Sequence, residues 1–279
     1  MTRGISIHIG LNQVSTQHYG ANVAPLSTCE QDAKDMQALA TTQDFKSSFL
    51  LLSENATRSA VASVIQLASQ ELKSGDILFL SYSGHGAYVF DTSGDEDDNL
   101  DETWCLYDGQ FLDDELLKLW TLFEEGVRIL ILSDSCHSGS VAKAFPNAKE
   151  EENKLFQTKL LAPKVAQEVY LKNIDYYQKI EETVGNVKES DIKASVKLLA
   201  ACQDPQVSYT LTFAKNSIFT EKLKDVWSRG TFDGNYEQFF ERIRDEVSSL
   251  DFLPTVQTPN LLNIGSQNEA FDKAKPFSI

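Results

Sequence analysis

The sequence predicts an α/β fold whose central sheet is mostly parallel and flanked by helices. Short apolar runs alternate with stretches of helical spacing, the signature of repeated β-α-β units. One run, Val127 to Ser133, is apolar on both faces, as a buried parallel strand is. The 279 residues suffice for a substantial core, and 42% hydrophobic with 24% charged residues is ordinary globular composition.

The elements follow in order. Ile5 to Leu11 reads as a first strand. Cys29 to Thr41 has helical spacing, with Ala33, Met36 and Ala40 on one face. Phe49 to Leu52 is a second strand. Thr57 to Leu72 is an amphipathic helix with a stripe of Val61, Val64, Ile65, Ala68 and Leu72. Asp76 to Tyr82 is a third strand, introduced by Gly75. Leu112 to Phe123 is helical, and its acidic pair Asp113-Asp114 suits a helix N-terminus. Val127 to Ser133 is the fourth strand. Residues 143–193 then carry nine lysines and no arginine. Within them Val165 to Thr183 has helical character, and the remainder reads as a long connection. Ser195 to Ala201 is a fifth strand, and Ser217 to Trp227 and Tyr236 to Leu250 are helices. Gln257 to Leu262 is a last extended piece, and the polar tail from Gly265 is expected to be loose.

Charge and cysteine usage limit the function. With 25 Lys+Arg against 41 Asp+Glu, the net charge is −16. Such a chain lacks the positive potential for a broad nucleic-acid or anionic-membrane surface. The four cysteines, Cys29, Cys105, Cys136 and Cys202, form no C-x-x-C pair. Neither a zinc site nor a disulfide framework is indicated. The N-terminal segment is too polar for a signal peptide, and no run is long enough to span a membrane. A cytoplasmic location is the expectation.

Functional residues of a parallel sheet gather at the carboxyl ends of its strands. The third strand ends in Ser81-Tyr82-Ser83-Gly84-His85-Gly86 and the fourth in Ser133-Asp134-Ser135-Cys136-His137-Ser138-Gly139. If these strands are neighbours, His85 and Cys136 share a crevice. An imidazole can take the proton of a thiol and make it a nucleophile. The backbone N–H groups of Gly86 and Cys136 could hold a substrate oxyanion. Either residue alone reads as packing or loop. His137 competes as base, but it directly follows Cys136 and is poorly placed to meet the thiol.

These motifs resemble those of the caspase-like cysteine peptidases, in particular the metacaspases and their bacterial relatives, the orthocaspases. The Q-A-C-[RQG]-G signature of animal caspases is absent. Leu26-Ser27-Thr28-Cys29-Glu30-Gln31-Asp32-Ala33 is similar to the metacaspase L-x-G-C-x-x-D-A segment, with Thr28 in place of glycine. Ala201-Cys202-Gln203-Asp204-Pro205-Gln206 resembles the family's S-G-C-Q-D-x-Q. Phe219-Thr220 and Gln257-Thr258-Pro259 match late motifs more weakly.

The resemblance implies a single caspase-like domain over residues 1–279, with a charged processing loop at about 143–193. It assigns His85 as general base, Cys136 as nucleophile, and Cys29, Asp32, Ser83 and Asp134 to the S1 pocket. Two carboxylates in one pocket favour a guanidinium or ammonium group, hence cleavage of proteins after Arg or Lys. It points to calcium at Asp101, Asp113 and Asp114. The fourth ligand position falls near Lys143, whose charge opposes a cation, so no cofactor is expected to be required. The run from Asp95 to Glu102 is not an EF-hand, having Leu100 where glycine belongs. Lys143, Lys149 and Lys154 are candidates for self-processing. A monomer is implied, acting as a regulated effector in bacterial stress, cell death or antiviral defence and controlled by a regulatory or activating protein. The alternative is a catalytically silent caspase-like binding module. It ranks lower because both His85 and Cys136 are present.

Overall fold

A computed structural model describes residues 2–90, 100–136, 155–203 and 206–279. Its elements are β1 (Gly4–Gly10), α1 (Thr16–Tyr19), α2 (Cys29–Thr42), β2 (Ser47–Leu52), α3 (Arg58–Glu71), β3 (Ile77–Ser83), β4 (Gly86–Phe90), β5 (Leu100–Leu106), β6 (Gly109–Leu112), α4 (Asp113–Trp120) and β7 (Arg128–Asp134). After β7 follow β8 (Phe156–Thr158), α5 (Pro163–Lys172), α6 (Ile174–Val184), β9 (Ser195–Ala200), β10 (Tyr209–Leu211), α7 (Ile218–Trp227), α8 (Tyr236–Ser248), β11 (Asn260–Gly265) and α9 (Glu269–Lys273).

The main sheet has the order β11-β9-β7-β3-β1-β2. Neighbours from β9 to β2 are parallel, and β11 is antiparallel to β9. Both faces are covered, so the central strands β1, β3 and β7 are buried along nearly their whole length. On one face Phe79, Leu130 and Leu132 pack with Met36 and Ala40 of α2 and with α7 and α8. On the other, Leu78, Leu80, Ile129 and Ile131 meet Val61, Ile65 and Ala68 of α3 and Trp120 of α4. Adjacent strand residues thus enter opposite cores, as the two-residue strand period requires.

Helix ends follow local chemistry. The Thr57 hydroxyl caps α3 by accepting from the Ala60 N–H at 3.2 Å. Asn235 and Gln238 form a reciprocal capping box on α8.

Besides the β8-β10 pairing, the structure departs from the sequence expectations in three places. A three-stranded antiparallel meander, β4-β5-β6, occupies the region between the third strand and α4. The helix expected over 165–183 is two helices, broken at Asn173, whose side-chain amide donates to the Val169 carbonyl at 2.8 Å. That local bond competes with helical continuation. The tail is not loose: Phe271 and Phe277 are buried, and the Phe277 ring lies 4.9 Å from Trp227 and 5.0 Å from Phe79. Two aromatic side chains outweigh the polar composition around them. Among the described residues, no helix is long and apolar enough to cross a membrane.

Candidate active site

β3 and β7 are direct neighbours, and Ser83 stands opposite Asp134 at their carboxyl ends. The two strand ends are therefore adjacent, with His85 two residues beyond Ser83 and Cys136 two residues beyond Asp134. The His85 turn is pinned through its carbonyl, which accepts from the Tyr82 hydroxyl at 2.6 Å and the Cys105 N–H at 2.9 Å. Tyr82 is in turn stacked on Trp104 at 4.5 Å.

His85 Nε2 donates to the Ala24 carbonyl at 2.9 Å. That contact assigns the proton to Nε2 and leaves Nδ1 with its lone pair. Nδ1 is buried and has no hydrogen-bond partner among the described residues. Burial pushes the imidazole down from 6.5 to about 4; the Ala24 carbonyl opposes this and the charge of Lys159 adds to it. The ring is thus neutral at pH 7 and able to accept a proton. Cys136 is fully buried, and its Sγ receives the Ser208 N–H at 2.9 Å. Gly86 must be glycine: a Cβ there would lie 1.7 Å from the Cys136 carbonyl oxygen.

A segment of the chain itself covers these groups. β8 pairs antiparallel with β10, placing Thr158 opposite Tyr209 and Phe156 opposite Leu211. The Lys159 N–H donates to the Ser208 carbonyl at 3.1 Å. The Lys159 carbonyl then accepts the Gly86 N–H at 2.8 Å, and the Leu161 N–H donates to the Gly86 carbonyl at 2.8 Å. The donor that the sequence assigns to the oxyanion hole thus holds the Lys159 carbonyl oxygen.

The Lys159 side chain fills the pocket between the strand ends. Its Nζ lies 2.8 Å from Ser83 Oγ, 2.9 Å from Asp134 Oδ1 and 3.3 Å from Asp32 Oδ2, and it is fully buried. Asp32, Ser83 and Asp134, which the resemblance assigns together to the S1 pocket, meet at one ammonium. Cys29 borders the same site, its thiol pushed up to about 12 by burial. Burial disfavours the lysine's charge. Asp134, then Cys29 and Asp32, outweigh that penalty and hold the ammonium above its ordinary range. Burial acts on Asp32 toward the protonated form, with Lys159 opposing. The short contacts to both carboxylates identify the ionised pocket as the better description.

Several residues complete the pocket that the sequence did not single out for it. Asp32 Oδ1 accepts from Asn216 Nδ2 at 2.9 Å and from the Ser217 N–H at 3.1 Å. Asp134 accepts from Ser208 Oγ at 2.9 Å, from Thr220 Oγ1 at 2.8 Å and from Ser217 Oγ. These neutral donors keep both carboxylates solvated by protein, as buried charges require. Lys159 itself carried a local signal. It is the one charged residue in the run Leu155 to Ala162.

Lys143, Lys149 and Lys154 lie outside the described residues, as do His137 and the acidic stretch 95–99. Asp113 and Asp114 form the first turn of α4. The β5-β6 register, with Thr103 opposite Leu112, brings the Asp101 backbone to the same end of the meander. Among the described residues no three His, Cys, Asp or Glu side chains converge on a metal position. The Asp101 side chain and Lys143 are not among them.

This geometry defines a class that sequence and structure comparisons confirm. The caspase-domain family model matches residues 11–269, and the chain belongs to that family of cysteine-type peptidases. It is 36% identical over 147 residues to metacaspase-1A of Neurospora crassa, covering 48% of this chain and 31% of that protein. It is 40% identical over 104 residues to metacaspase-7 of Arabidopsis thaliana, covering 37% and 24%. The matches thus span about a quarter to a third of those curated relatives. The crystal structure of protein GSU0716 from Geobacter sulfurreducens superposes with a TM-score of 0.87 at 39% identity, covering 99% of this chain and 98% of that one.

Proposed function

We propose that the protein is an endopeptidase that cleaves proteins after Lys or Arg, and that its own Lys159–Leu160 bond is its first substrate. The observation that carries this reading is the Lys159 ammonium seated between Asp32 and Asp134 while its carbonyl meets the Gly86 N–H. A side chain and a scissile carbonyl are thereby oriented as a substrate would be.

Nδ1 of His85 takes the proton of Cys136, and the sulfur attacks the carbonyl carbon after the basic residue. Negative charge grows on the carbonyl oxygen, where the Gly86 N–H stabilises it. The C–N bond breaks, and the His85 imidazolium returns its proton to the leaving amine. Water, deprotonated by the same nitrogen, then releases the acyl group from sulfur as a carboxylate. Until the cut the cleft is occupied, which suits an effector held silent until a signal or partner protein releases it. We read it as a cytoplasmic monomer that needs no calcium; the resemblance puts the fourth calcium ligand near Lys143, a lysine in this sequence.

The test is fluorophore release from peptides ending in Arg, Lys or Asp, with calcium or with chelator, by wild type and Cys136→Ala. Cleavage after Arg and Lys, indifferent to chelator and lost in Cys136→Ala, is expected. Activity surviving Cys136→Ala would refute the nucleophile, and inactivity of the wild type toward all peptides would favour the silent module.

The pH dependence follows from the base. His85 must be unprotonated to act, so the rate falls as pH drops through its pKa. That value is lowered from 6.5 to about 4, so self-cleavage should persist from neutrality to well below pH 6. Cut fraction against time at each pH, with circular dichroism to monitor folding, checks it. Loss centred at the ordinary histidine value would count against this assignment.

A further inference from the structure

The segment that fills the cleft also reports what the cleft reads beyond the basic residue. We infer that the enzyme has two further side-chain subsites, selecting an aromatic residue three positions before the basic one and glutamine two positions before it. This rests on the reading of Lys159 as the residue before the cut.

Phe156 packs edge-on against Tyr209 at 6.0 Å and stacks on Phe252 at 6.3 Å. Tyr209 is buried, and its hydroxyl meets Thr255 Oγ1 at 2.8 Å, so this wall is fixed. Phe252 is 51% exposed, an aromatic ring at the surface whose ring partner among the described residues is Phe156. An exposed aromatic that stacks on a cleft-bound ring is positioned for recognition.

Gln157 is read at both ends of its amide. Its Nε2 donates to the Pro25 carbonyl at 3.0 Å, and its Oε1 accepts from Ser27 Oγ at 3.0 Å. A donor and an acceptor at this spacing fit a carboxamide and mismatch a carboxylate, which would face the Pro25 carbonyl without a proton. Pro25 and Ser27 lie on the same loop as Ala24, which orients His85. Thr158, between Gln157 and Lys159, is exposed. The backbone pairing extends one residue further, with the Thr212 N–H donating to the Leu155 carbonyl at 3.0 Å. The recognised pattern is therefore aromatic, glutamine, any residue, then lysine or arginine.

The test uses the self-cleaved enzyme and four peptide amides bearing a fluorophore: Phe-Gln-Thr-Lys and its single alanine replacements at the first three positions. Alanine for phenylalanine should lower kcat/KM about tenfold, alanine for glutamine about fivefold, and alanine for threonine less than about twofold. Phe252→Ala, a half-exposed position that the fold can spare, should shrink the phenylalanine preference and leave the glutamine preference standing. Equal rates for all four lysine peptides would overturn the subsites while leaving the peptidase reading intact. Failure to cleave any lysine peptide would overturn that reading and the subsites with it.

Discussion

Lys159→Ala should leave the chain uncut between residues 159 and 160, whereas Lys159→Arg should still be cut. The ammonium is the only cation among the described residues in contact with both Asp32 and Asp134. Removing one partner of a buried ion pair costs roughly 3–5 kcal/mol, because the remaining charge is stranded. Alanine would leave two stranded carboxylates and nothing to hold the segment in register. At about 1.4 kcal/mol per factor of ten, the seated population should fall by two or more orders of magnitude. Arginine restores the charge and can bridge both carboxylates, at the expense of some crowding. Intact-mass spectrometry of the two variants after incubation decides it. Prompt cleavage at residue 160 in Lys159→Ala would exclude this lysine as the selected residue.

Asp134→Asn should lower kcat/KM for lysine peptides by about a hundredfold or more while leaving the fold in place. Asp134 makes the shorter of the two carboxylate contacts to Lys159, 2.9 Å against 3.3 Å for Asp32. It also accepts from the hydroxyls of Ser208, Ser217 and Thr220. Asparagine keeps the shape and one acceptor but turns an N–H toward the substrate's ammonium. A thermal melt alongside the kinetics separates loss of specificity from loss of structure. Undiminished lysine cleavage in a folded Asp134→Asn protein would remove Asp134 from the pocket.

What could be read from the sequence was whatever local pattern dictates. The strands ending at Ser83 and Asp134 announce themselves by apolar runs, and the residues beyond them, His85 and Cys136, by small neighbours at those ends. Asp32 and Cys29 were reached through a motif of eight consecutive residues. What escaped reading depends on pairing across long stretches of chain. Lys159 meets Asp32 across 127 positions, and Asn216 meets it across 184. No periodicity in either segment encodes such a meeting. Ser217 illustrates the difficulty, because its hydroxyl both caps α7 by accepting from the Thr220 N–H and donates to Asp134. Its capping role is ordinary local chemistry, and its second role exists only once β7 and α7 are packed. The buried tail escaped for the same reason, since Phe277 finds its aromatic partners at residues 79, 227 and 239.

The proposal that Lys159–Leu160 is the first bond cut also fixes the kinetic order of that step. The bond to be broken is covalently tethered to the groups that break it, so its effective molarity is set by the fold and not by how much protein is present. The first cut should therefore be unimolecular: diluting the protein should leave its half-time unchanged. A half-time that lengthens in proportion to dilution would mean that one molecule cuts another. Under the unimolecular scheme a single copy carries both the bond to be cut and the groups that cut it.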